Sequence, residues 1–159
     1  MSIKVQPHHL QEIKGDAESR YPSECCGLLL GKISGDVKTL IEVLPTENSW
    51  DDSTAEAFSE ITESAKLGTT KRERYSIAPA TLLSVQKQAR DRDLDIIGVY
   101  HSHPDHPALP SEFDRAIAWE EYSYIIVSVQ GGKATDRSSW CLDGDRQFQP
   151  EKIIKIESS

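Results

Sequence analysis

The chain has 159 residues, 37% apolar and 28% charged, a composition that suits one soluble domain with a single packed core. Its formal net charge is −8 and no stripe of Lys and Arg runs through it, which excludes the basic footprint of a nucleic-acid-binding protein. No apolar run nears the ~20 residues that a membrane span needs. The opening MSIKVQPHHLQEI lacks the layout of a secretory signal, and three cysteines, Cys25, Cys26 and Cys141, suit no disulfide framework, so the expected location is the cytoplasm.

Ile3 to Val5 reads as a short opening strand. Pro7 suits the first turn of a helix. Leu10, Ile13 and Ala17 follow at i, i+3 and i+7 and give that helix one apolar face. It should stop near Tyr21-Pro22, because a residue before proline avoids the helical region. Cys26 to Gly31 is an apolar run bounded by glycine, a buried strand. Ser34-Gly35-Asp36 turns the chain, and Val37 to Leu44 alternates as a hairpin partner that Pro45 ends.

Residues 46–74 are polar and poor in aliphatics, acidic at first and basic at the end (Lys71-Arg72-Glu73-Arg74). Phe58, Ile61 and Ala65 share a face of a helix predicted over Ala55 to Leu67. The segment reads as a surface insertion, partly mobile, since long loops in compact domains are functional or disordered. Pro79 starts a helix with Leu82, Val85 and Ala89 on one face. Leu94 to Tyr100 is a buried strand, a helix runs from Ser111 to about Glu121, and Tyr124 to Val129 is another buried strand. After Gly131-Gly132, Thr135 to Leu142 and Arg146 to Gln149 form a hairpin around Asp143-Gly144. Helices interleaved with buried strands give an α/β, or mixed α+β, domain with a central sheet flanked by helices, spanning residues 1–159.

The chemistry gathers after Tyr100. His101 and His103 stand at i and i+2 of an extended segment and so face the same side. Asp114 opens the next helix, and the stiff loop between, with Pro104, Pro107 and Pro110, can return its carboxylate to the strand end. Two imidazoles and a carboxylate leave a fourth position open, the pattern of catalytic zinc. Each part has a plainer reading: a lone His-x-His is more often not a site, and Ser111-x-x-Asp114 is also a helix capping box. Only the combination is specific.

That combination resembles the JAMM (MPN+) family of zinc peptidases: His101-Ser-His103-Pro, ten residues, then Asp114, with Ser111 three before it. The family also has an upstream glutamate at a strand edge, and Pro22-Ser-Glu24-Cys-Cys-Gly27 supplies one in Glu24. The resemblance covers nearly the whole chain. It implies a cytidine-deaminase-like core and one Zn2+ held by His101, His103 and Asp114. It implies that Glu24 moves the proton and Ser111 stabilises the oxyanion. The compact form is most similar to a bacterial branch that hydrolyses the bond after the C-terminal Gly-Gly of ubiquitin-like sulfur-carrier proteins. In deubiquitinating relatives an insertion near residues 46–74 helps hold the substrate. Asp105 and His106 are extra polar groups beside the motif and match no position in it.

Two other classes fit less well. A zinc deaminase needs His-x-Glu and a downstream Pro-Cys-x-x-Cys, and a thermolysin-like peptidase needs His-Glu-x-x-His; neither is present. A non-catalytic MPN interaction module that retains zinc is the alternative to an enzyme.

Overall fold

In the computed structural model, which describes residues 1–59, 70–72 and 74–157, the apolar runs become strands and the 3.6-period faces become helices. The elements are β1 (Ser2–Val5), α1 (Pro7–Arg20), β2 (Cys26–Ser34), β3 (Val37–Thr46), α2 (Asp52–Ser59), α3 (Pro79–Asp91), β4 (Asp95–Pro104), α4 (Glu112–Ile117), β5 (Ser123–Gln130), β6 (Lys133–Leu142) and β7 (Phe148–Lys155). The strands follow the order β1-β3-β2-β4-β5-β6-β7 and close into a barrel. The central sheet is mixed: β1 runs parallel to both β3 and β7, and β4 parallel to β5. The other neighbours are antiparallel.

Two apolar layers hold the sheet. Leu10, Ile13 and Ala17 of α1 pack on Ile3, Leu29 and Ile125. On the other face, Val85 and Ala89 of α3 pack on Leu28, Val99 and Tyr124. The fit is close where β2 crosses β4. A Cβ built on Gly27 would lie 2.2 Å from the Tyr100 ring, so only glycine admits that ring. The Tyr100 hydroxyl then donates to Asp16 of α1 at 2.8 Å, tying helix to sheet one residue before the first histidine.

Several boundaries differ from the sequence reading. β3 continues through Pro45 to Thr46, with Pro45 opposite Gly27. β1 covers β3 only at Val37–Thr39, so Pro45 lies where no second strand needs its missing donor, an edge position that tolerates proline. β4 runs on past Tyr100 to Pro104 because β5 pairs it throughout, up to Pro104↔Val129. The helix expected to reach Glu121 stops at Ile117. Ala118 is extended, and Arg146 Nη2 donates to the carbonyls of Arg115 (2.9 Å) and Ala118 (3.1 Å), satisfying the last turn from outside. β7 extends to Lys155 because β1 pairs with it as well as β6.

Within residues 46–74, Asn48, Trp50 and Ala55 are buried, so this part packs into the molecule. α2 covers the start of the expected helix; residues 60–69, its remainder, lie outside the described residues. Among the described residues no helix is long and apolar enough to cross a membrane.

Candidate metal centre

The end of β4 and the start of α4 meet because β4 and β5 are parallel, which obliges the chain to cross back between them. His101 and His103 point to one side of β4 and are buried, with their Nε2 atoms 3.2 Å apart. Asp114, also buried, places Oδ1 3.2 Å from His101 Nε2 and Oδ2 3.1 Å from His103 Nε2. Its position is set by the capping box expected from the sequence: the Asp114 amide donates to Ser111 Oγ (3.1 Å), and the Ser111 amide donates to Asp114 Oδ2 (2.9 Å). Ser111 Oγ serves there as an acceptor, which leaves its hydroxyl proton to donate elsewhere.

Charge bears on what this cluster could hold. His103 Nδ1 lies 2.9 Å from the Pro107 carbonyl, which can only accept, so that nitrogen carries the hydrogen. In a neutral ring Nε2 then presents a lone pair to the Asp114 carboxylate, an arrangement that needs a cation between them, a proton or a metal ion. The pKa of His103 is raised although burial, the largest influence, opposes it, because Asp114 outweighs burial. Burial lowers the pKa of His101 against the pull of Asp114. Asp114 is held well below the ordinary carboxylate range: burial pushes it up, and the two imidazoles more than offset that. The ligand atoms of a tetrahedral zinc with its usual bond lengths lie ~3.3 Å apart, and the three pairs here lie 3.1–3.2 Å apart. The donor set therefore fits such an ion.

Glu24 sits in the connection between α1 and β2 and is buried. A carboxylate oxygen of Glu24 and one nitrogen from each of His101 and His103 lie within 4.8 Å of one another, so these three could hold a metal ion. The structure thus gathers Glu24, His101, His103, Ser111 and Asp114 at one point. Glu24, His103 and Ser111 border a groove of about 350 Å³ whose lining also includes Arg72, Arg74, His106 and Leu109. Asp105 is engaged away from the cluster: it accepts from Tyr21 Oη (2.7 Å) and the Gly131 amide (2.9 Å) and pairs with Arg72 (2.9 Å).

Three residues at the site, Tyr75, Trp50 and Asn48, escaped the sequence reading, and a fourth, Ser102, entered it only as the residue between the ligands that alternation turns to the opposite face. Tyr75 stacks on the His101 ring, with centroids 4.6 Å apart. Trp50 meets Phe113, the neighbour of Asp114, edge-on at 5.3 Å, and stacks with Phe58 at 5.9 Å. Ser102, facing away from the imidazoles, accepts from the Cys25 amide at 2.8 Å. Asn48 donates to the Glu24 carbonyl at 3.1 Å. Only the aromatic Trp50 and Tyr75, set in a polar stretch, carried a signal that could have marked them.

The fold and the sequence have counterparts among known proteins. A Desulfitobacterium hafniense solution structure aligns with TM-score 0.76 and 27% identity over 98% of this chain and 94% of that one. A Salinibacter ruber protein aligns with TM-score 0.66 and 29% identity over 98% and 92%. A JAB1/MPN domain protein from Archaeoglobus fulgidus shares the fold at TM-score 0.50 and 18% identity, over 98% of this chain and all of the other. A Haloferax volcanii desampylase is 29% identical over 111 residues, 69% of this chain and 66% of the desampylase. A probable TtuB-protein conjugate cleaving protease from Thermus thermophilus is 37% identical over 60 residues, 38% of this chain and 40% of its own length. The chain thus spans less than two thirds of either relative. The match to the family of prokaryotic homologs of the JAB domain runs over residues 6–143, from the start of α1 past the end of β6, and the chain belongs to that family.

Proposed function

We propose that the chain is a zinc-dependent peptidase or isopeptidase that hydrolyses the bond after the C-terminal Gly-Gly of a ubiquitin-like sulfur-carrier protein in the cytoplasm. The observation that carries this reading is the convergence of two imidazole nitrogens and the Asp114 carboxylate at 3.1–3.2 Å, with the Glu24 carboxylate alongside in a groove. The names of the two relatives, a desampylase and a conjugate-cleaving protease, support the substrate class.

In this reading His101, His103 and Asp114 hold one Zn2+. Zinc supplies a Lewis acid, which polarises a carbonyl and makes water nucleophilic near neutral pH. Glu24 accepts the proton of the attacking water and delivers it to the leaving amine, so that one buried carboxylate serves first as base and then as acid. Ser111 donates its hydroxyl proton to the oxyanion that forms on the scissile carbonyl. Residues 46–74 form an insertion whose return, with Arg72 and Arg74, borders the groove where the carrier tail would lie.

The test is hydrolysis of carrier fusions across a panel of sulfur carriers, with loss of turnover on chelation and recovery on adding zinc. Gly-Gly→Ala-Ala in the carrier tail should abolish most of the rate; an unchanged rate would refute this substrate assignment. Tight zinc binding with no cleavage of any carrier would instead favour a non-catalytic module.

A further inference from the structure

Asn48 lies two residues beyond β3, in the polar stretch where nothing in the sequence marks it, and it is buried. A carboxamide has two hydrogens to give and two lone pairs to receive, and all four find partners here. Nδ2 donates to the carbonyls of Arg74 (2.9 Å) and Glu24 (3.1 Å), with the Lys71 carbonyl at 3.5 Å. Oδ1 accepts from the amides of Trp50 (3.0 Å) and Ser76 (3.2 Å). A satisfied buried amide closing a loop is a common structural device. What sets this one apart is the group it holds. The Glu24 carbonyl belongs to the same peptide unit as the Cys25 amide, and that amide donates to Ser102 Oγ at 2.8 Å. Ser102 stands between His101 and His103 on β4 and faces away from them. One side chain therefore grips the oxygen of the Glu24–Cys25 peptide and another grips its hydrogen. With the Glu24 amide donating to the Lys71 carbonyl as well, the backbone on both sides of the Glu24 side chain is fixed.

We propose that Asn48 and Ser102 are positioning residues that clamp the Glu24–Cys25 peptide from opposite sides and so aim the Glu24 carboxylate at the two imidazoles. The inference rests on the role given to Glu24 above. It makes the strand that carries the histidines also set the height of the carboxylate, because Ser102 is the residue between them. It also ties Glu24 to the chain's return at Lys71–Ser76, so that the segment bordering the groove and the proton carrier share one anchor.

The experiment compares Asn48→Asp and Ser102→Ala, each alone and combined with Glu24→Gln. Asn48→Asp keeps the shape and the acceptor but turns the donor into an oxygen facing two carbonyls. Ser102→Ala releases the Cys25 amide and should fold even if Asn48→Asp does not. Zinc content is expected to stay at that of the unmodified protein. Each single change should lower kcat on a Gly-Gly carrier fusion by about 10–100-fold with KM nearly constant, the size of effect that a displacement of about 1 Å produces. In the Glu24→Gln background neither should cost a further ~2-fold, because changes that act through one group are not additive. A second readout needs no turnover: in the cobalt-loaded protein the pH titration of the visible spectrum should shift in the same direction for Asn48→Asp, Ser102→Ala and Glu24→Gln. Equal losses of kcat with and without Glu24, or unshifted cobalt titrations in the two clamp variants, would overturn the proposal. A protein that cleaves no carrier yet shows the shared cobalt shift would refute the proposed substrate and uphold the clamp.

Discussion

Replacing Glu24 with Gln separates proton transfer from metal binding. The amide has nearly the same shape, so the groove and its neighbours need not move, but it cannot accept a proton at neutral pH. General acid–base catalysis is worth about 10²–10⁴ in rate, or about 2.7–5.4 kcal/mol at ~1.36 kcal/mol per decade. The structure argues for the upper part of that range. Glu24 is only 4% exposed, so bulk water has little access from which to replace it. Zinc should stay, because the three atoms that lie 3.1–3.2 Å apart come from His101, His103 and Asp114. The assay pairs zinc content by elemental analysis with single-turnover cleavage of a carrier fusion. Full zinc with a rate within about 10-fold of the unmodified protein would refute the assignment of Glu24 as the proton carrier. Loss of zinc would refute it differently: Glu24 lies close enough to both imidazoles to be a fourth ligand, and the variant would reveal it as one.

The other predictions follow from neighbouring contacts. His103→Ala removes a ring nitrogen that faces both His101 and Asp114 and should strip most of the zinc; full occupancy by elemental analysis would refute the ligand set. Ser111→Ala should keep zinc and lose about 10²–10³-fold in kcat, the usual effect of one oxyanion donor. It also removes the cap on the Asp114 amide, a loss of about 0.5–2 kcal/mol, so its melting temperature must be measured before its rate is interpreted. Trp50→Ala empties a site that is 2% exposed between Phe58 and Phe113. It should cost about 3–5 kcal/mol and lower Tm by about 6–20 °C, and a shift under ~2 °C would show that this aromatic cluster does not support α4.

Much of the fold could be read in advance because its signals are local. The spacing of Leu10, Ile13 and Ala17 defines α1, and the apolar runs at Cys26 and Tyr124 define β2 and β5. The cluster was legible for a related reason: alternation along a strand and a capping box are short-range patterns, and they set four of its five members, His101, His103, Ser111 and Asp114. The differences are long-range. Pairing with β5 carries β4 on to Pro104, Arg146 helps end α4 from a distant turn, and β1 closes a barrel that no local pattern announces. Asn48 is the clearest case. Its importance lies in contacts to residues 24, 74 and 76, and a single polar residue among polar neighbours leaves no periodic trace.

The closure of the barrel has a consequence for how the protein assembles itself. β1 is four residues long, yet it fills both seams, beside β3 and beside β7, with Ser2 opposite Val37 on one side and Lys152 on the other. That last pairing joins the two ends of the described chain, so it carries nearly the largest loop-closure entropy available and should form late, making the protein a slow folder for its size. Until β1 docks, β3 and β7 present unpaired backbone to any passing strand, the situation in which sheets join edge to edge into aggregates. The short strand thus acts as a bolt: it buries Ile3 and Val5 in the core, and it covers β7 at Lys152–Lys155 and β3 at Val37–Thr39, narrowing the backbone edges through which one copy could otherwise polymerise with the next.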